Sequence, residues 1–137
     1  MKKKIIVFVT LLSVFSITLL EGCQKYEDGP AFSLRSRTER LSNTWKVDNY
    51  KVNGTDYTSL VAGYTETFSK NGDYSYSWGI LSGTGKWAFK NNDEEIQVNG
   101  TNNQSSQTLF ILKLEEKQFW YYYMEGNDKK EFHMVEK

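Results

Sequence analysis

Thr67-Phe68-Ser69-Lys70-Asn71-Gly72-Asp73-Tyr74-Ser75-Tyr76-Ser77-Trp78-Gly79-Ile80-Leu81-Ser82-Gly83-Thr84-Gly85-Lys86-Trp87-Ala88-Phe89-Lys90 decides the fold. Large rings alternate with small or polar residues across Tyr74, Tyr76 and Trp78 and again at Trp87 and Phe89. That period of two belongs to a half-buried strand. Turn residues separate the runs. A three-residue loop, Lys70 to Gly72, with Gly72 left-handed, sets Phe68 opposite Tyr74 and buries both; a two-residue loop would turn Phe68 to the serine side. A four-residue loop, Ile80 to Gly83, pairs Tyr76 with Trp87, Tyr74 with Phe89 and Trp78 with Gly85. Tyr74, Tyr76, Trp78, Trp87 and Phe89 then share one face.

Outward from this stretch the same reading gives eight strands: 45–52, 64–69, 73–79, 84–90, 95–99, 107–114, 117–124 and 129–136. Short links favour pairing of sequence neighbours, hence an up-and-down antiparallel order. Eight such strands close into an all-β barrel without exposed edges, filled by side chains or holding one small ligand. Ser36-x-x-Glu39 is a capping-box pattern and opens a short N-terminal helix ending near Ser42, with Leu34 and Leu41 on one face. Residues 109–114 are apolar on both faces and 119–123 aromatic on both, so one outer face needs a cover such as that helix. Asn53-Gly54-Thr55 and Asn99-Gly100-Thr101 match the glycosylation sequon and are read as turns.

Three segments carry a resemblance to bacterial lipocalin-like domains: Leu41-Ser42-Asn43-Thr44-Trp45-Lys46-Val47, Thr67 to Tyr74, and Gly83-Thr84-Gly85-Lys86-Trp87. The resemblance covers about Leu41 to the end. It implies that Trp45 closes the base of the barrel. Asn43 stands where the family's glycine usually precedes that tryptophan, and no clear last-strand arginine packs over it. One fold of this kind hosts many functions.

Residues 1–22 read as an export signal, with Lys2-Lys3-Lys4 followed by an apolar run from Ile5 to Leu20. Leu20-Glu21-Gly22-Cys23 resembles the lipobox of bacterial lipoproteins, with Glu21 an unusual middle residue. It implies cleavage before Cys23 and acylation of its thiol. Cys23 is the only cysteine, so no disulfide forms within the chain. Residues 23–33, with the only proline, read as a lipidated tether, and 34–137 as the barrel domain. Gln24 is not the aspartate of inner-membrane retention, and Glu27-Asp28 faintly resembles the acidic surface-export tag of Bacteroidota lipoproteins. The expected place is the outer membrane of the cell envelope, facing the periplasm or the surface.

Cleavage removes three of seventeen basic residues and one of seventeen acidic ones, leaving a formal charge of −2 and no basic stripe for nucleic acid. No catalytic constellation is legible. His133, the only histidine, is expected to point outward between the core residues Phe132 and Met134. No Cys/His spacing suits a metal, no glycine-rich phosphate loop precedes a helix, and no cofactor is expected. The expected reading is therefore not an enzyme. It is a membrane-anchored binder of a small apolar ligand, lined by Tyr74, Tyr76, Trp78, Trp87 and Phe89. Ligand would enter a mouth formed by Leu60, Val61, Ile80 and Leu81, which the up-and-down order places opposite Asn71-Gly72 and Glu115-Glu116. The alternative is a filled barrel that binds an envelope protein or glycan through surface aromatics such as Trp120 and Tyr122.

Overall fold

The computed structural model describes residues 33–137, so the signal segment, the lipobox and nearly all of the tether lie outside the described residues. Helix α1 (Arg37–Leu41) precedes β1 (Thr44–Val52), the two-residue β2 (Thr55–Asp56) and a 3-10 turn, Thr58–Val61. Then follow β3 (Thr65–Phe68), β4 (Asp73–Trp78), β5 (Leu81–Lys90), β6 (Glu95–Asn102), β7 (Gln107–Leu114), β8 (Gln118–Glu125) and β9 (Asp128–Glu136). β2 is an appendage of β1. The other eight strands pair antiparallel in sequence order, and β9 returns to β1, so the sheet closes into an eight-stranded lipocalin-like barrel.

α1 forms as its capping box requires. Ser36 Oγ accepts from Glu39 N–H at 3.2 Å, and the Glu39 carboxylate accepts from Ser36 N–H at 2.9 Å. Those bonds hold the Glu39 carboxyl below its ordinary range, the Ser36 backbone bond first. Leu41 is buried, and its carbonyl accepts from the Trp45 indole at 2.9 Å, so α1 stoppers the end where β1 begins. Leu34 does not share that face: it lies before the helix and is exposed.

The Asn71 hairpin has the three-residue form. Ser69 N–H donates to the Asp73 carbonyl at 2.9 Å, Gly72 sits at φ +87°, and Phe68 pairs with Tyr74. The next hairpin does not have the expected register. Trp78 pairs with Leu81, Tyr76 with Gly83 and Tyr74 with Gly85, so the turn is only Gly79-Ile80 and residues 81–83 belong to β5. Gly79 supplies the positive φ, +60°, that a two-residue turn needs at its first position. The slip of four residues is even, so inward residues stay inward, but rings now face glycines rather than rings. A Cβ on Gly83 would lie 2.3 Å from Tyr76 Cε1. The Tyr76 ring thus fills the space that a side chain at 83 would need, and this contact selects the register.

Asn53-Gly54 makes the β1–β2 turn with both residues at positive φ. Asn99-Gly100 is no turn: both lie within β6, which runs to Asn102. Bulges interrupt β1 between Val47 and Asn49 and β7 between Ile111 and Lys113. The second explains the doubly apolar run, since it allows Leu109, Ile111 and Leu114 all to be buried.

α1 does not cover the outer aromatics of β8; neighbouring strands do. His133 stacks on Trp120 at 4.1 Å with 5° between planes, and Lys113 Nζ lies 3.9 Å from the same ring. Phe110 stacks on Tyr122 at 4.9 Å, with Lys129 Nζ 4.5 Å from that ring. β7 and β9 flank β8 on opposite sides, so each ring has both faces taken. Glu131 bonds both His133, at 2.8 Å, and Lys129, at 3.0 Å.

Candidate functional site

The barrel interior has three levels. At the α1 end Trp45, Phe68 and Phe119 meet at ring separations of 5.7 Å, and Leu41, Leu109, Leu114, Ile96 and Met134 fill the rest with no exposure. Trp87 belongs here too; its indole donates to the Ser69 carbonyl at 2.9 Å, and Phe89 meets it edge-on at 5.4 Å. At this end the described side chains fill the interior themselves.

The middle level is polar. Glu66 follows from the alternation that turns Phe68 inward, and it is 1% exposed. Its Oε1 accepts from the hydroxyls of Tyr64 and Tyr74, each at 2.8 Å, and its Oε2 from Tyr121 at 3.0 Å. Burial pushes the carboxyl above its ordinary pKa, while the three phenol bonds pull the other way. The same burial, together with the nearby Glu66, pushes Tyr64, Tyr74 and Tyr121 well above the usual phenol range. All three hydroxyls donate to the Glu66 carboxylate.

The upper level opens. Tyr64 stacks on Tyr76 at 6.0 Å, and Phe132 meets Tyr50, Tyr64, Tyr121 and Tyr123. Three glycines shape the wall. At Gly83 the space for a Cβ is taken by the Tyr76 ring together with the Asn102 and Asn103 carbonyls, and at Gly100 by the connection between β6 and β7, with the Gln104 carbonyl only 1.7 Å from the Cβ that Gly100 lacks. At Gly85 the space is taken by the Asn99 carbonyl. Residues 103–105 therefore reach into the mouth, held by the Tyr76 hydroxyl donating to the Asn103 carbonyl at 2.9 Å. Beside them remains a pocket of about 250 Å³ lined by Tyr64, Tyr76, Gln104, Gln107, Tyr123 and Glu125, among others. Glu125 is paired with Lys130.

Of the residues expected to line a ligand site, only Tyr76 borders this pocket. Tyr74 is buried on Glu66, Trp87 and Phe89 lie in the closed end, and Trp78 is 38% exposed at the rim. Leu60, Ile80 and Leu81 are exposed and Val61 is half-buried against the core, but none lines the pocket. The long connection after β1 does not lid the opening. Asn49 binds Asp56 and Thr58, and Thr58 Oγ1 accepts from Tyr50 N–H at 2.9 Å, which pins it to β1. The polar Glu66 cluster was missed because a glutamate in a strand reads as solvated; the parity that buries Phe68 was the signal.

A second depression, about 290 Å³, lies on the outer wall among Thr67, Ser75, Thr84 and Thr101, and its two charged residues, Asp73 and Lys86, pair with each other. Among the described residues no three His, Cys, Asp or Glu side chains converge as a metal site would need. No protein-family model matches the chain. No curated protein matches it either.

Proposed function

We propose that this is a cell-envelope lipoprotein, tethered to the membrane by lipid on Cys23, whose barrel binds a small ligand at its mouth. The observation that carries the ligand reading is the pocket of about 250 Å³ between β8, the Tyr64–Tyr76 pair and the inward loop at 103–105. The closed apolar end supports moving the site upward from the ring-lined interior first expected. The polar lining supports a ligand less apolar than a fatty chain. The sequence around Cys23 supports the anchor.

A native mass spectrum of the protein, taken from its own cells in mild detergent, tests the binding reading. It should show a co-purifying small molecule that is lost in Tyr76→Ala; a bare protein in both counts against it. The anchor is tested separately. Cys23→Ser should leave the detergent phase, and unchanged partitioning and mass would refute lipidation.

A second reading, an interaction module for an envelope protein or glycan, is favoured by one observation. Ile80 is fully exposed at the tip of the β4–β5 hairpin, beside Trp78 and Leu81. It draws less from Trp120 and Tyr122, whose ring faces are already covered.

A further inference from the structure

We infer that the mouth site takes an organic cation, an alkylammonium group held against the tyrosine rings with Glu66 as its counter-charge behind Tyr64. The inference rests on the mouth being the ligand site.

Three phenol rings, Tyr64, Tyr76 and Tyr123, border the pocket. Tyr64 and Tyr76 stack on each other and Phe132 packs on Tyr64 and Tyr123, so an ammonium group meets the parts of these rings left uncovered at the pocket, where their negative potential attracts it. The charged groups around this space are few. Glu125 lines it, and its partner Lys130 is engaged by it at the rim. Behind the Tyr64 ring lies Glu66, whose three bonding partners are phenols rather than a cation. Tyr64 donates its proton toward that carboxylate, which moves electron density into the ring and strengthens its hold on a cation. Two polar groups of the lining are already engaged, Gln104 Nε2 by the Ser105 carbonyl at 2.7 Å and the Asn103 backbone carbonyl by the Tyr76 hydroxyl at 2.9 Å.

The same geometry links binding to pH. The titratable groups facing Glu66 are Tyr64 just before its own strand, Tyr74 on β4, and Tyr121 and Tyr123 on β8, all pushed up by burial. β1 contributes Trp45 opposite Glu66, and Tyr50 above, also pushed up by burial. Burial raises the Glu66 carboxyl above its ordinary value but far less than it raises these phenols, so Glu66 is the first of the group to ionise as pH rises. A cation at Tyr64 favours its ionised form, so binding releases a proton while Glu66 is still protonated. Affinity rises with pH and levels off once the carboxyl is ionised without help. A cation that lowers the Glu66 pKa by about one unit gains about tenfold in affinity across that range.

Calorimetric titration of the purified chain in mild detergent, from pH 5 to 8, tests this with choline, its neutral isostere 3,3-dimethylbutan-1-ol, and glucose. Choline should bind at least about tenfold more tightly than the isostere, tighten as pH rises, and release a proton seen as buffer-dependent heat. Glu66→Gln, with its fold checked by melting, should bind choline more weakly and with no pH dependence. Equal binding of the isostere, tighter binding of glucose, or a choline affinity indifferent to both pH and Glu66→Gln would overturn the cation. If such binding is lost in Tyr76→Ala, the mouth site survives that failure. If none of the three binds and native mass spectra are also bare, both readings fall.

Discussion

The two halves of this barrel are built from the same strands with opposite materials. Toward α1 the inward residues are Trp, Phe, Leu, Ile and Met, and they close on one another, with Trp45, Phe119, Leu41, Leu109, Leu114, Ile96 and Met134 fully buried. Toward the far end they are tyrosines gathered round Phe132, a glutamate and glycines, and they leave space. An apolar interior gains by filling completely, because every void forfeits dispersion contacts. Phenols cannot close in that way, since each hydroxyl needs a partner, and Glu66 serves three of them. The difference separates what holds the fold from what is available for function.

The sharpest way to break that contrast is to truncate one ring from each half. Trp45→Ala removes a fully buried ring and its bond to Leu41, and should cost ~3–5 kcal/mol in denaturant unfolding. Tyr76→Ala should cost only about 1 kcal/mol while abolishing any mouth ligand. Equal losses would mean that the upper half is as structural as the lower.

Gly100→Ala sharpens the comparison at the wall. The new Cβ would collide with the Gln104 carbonyl, so residues 103–105 must leave the mouth, at a cost of about 1–3 kcal/mol. Hydrogen exchange should quicken at 103–107 and stay unchanged in the strands around Trp45. Protection lost throughout would show that the loop is part of the core.

Glu66→Gln probes the middle level through pH. A carboxyl whose folded pKa is raised gives its full stability below its unfolded value of about 4.3, and loses it as pH rises through the folded one. Stability of the parent should therefore fall relative to Glu66→Gln as pH rises from the unfolded value through the folded one. Glu39, Asp56 and Asp73, lowered by their own hydrogen bonds, give an opposite slope below pH 4 that both proteins share. Parallel stability curves would show Glu66 to be untitrated in this range. Smallest of all, Trp78→Ala at the exposed rim should shift stability by less than about 0.5 kcal/mol.

Most of the architecture was legible because it is local. Alternation of rings with serines marks β4, and Lys70-Asn71-Gly72 carries its own turn geometry. The site was not legible, because it depends on partners across the barrel. Gly83 read as a loop residue and Gly85 as a strand residue opposite Trp78, since nothing in one strand reveals that a tyrosine ring and a distant backbone use the missing side chains. Trp120 read as an exposed platform, since stacking by His133 and Lys113 depends on strands to either side. Glu66 was within reach, by carrying the parity of Phe68 two residues back.

The central claim is that ligand meets the tyrosine end and never the tryptophan end. A nitrogen-15 spectrum of the labelled chain, recorded while choline is added, tests it directly. The backbone amides of Gln104, Gln107, Tyr123 and Glu125 should shift together in a saturable way, while the indole signals of Trp45 and Trp87 stay fixed. Saturable shifts at those two indoles, with the mouth amides unmoved, would contradict the account.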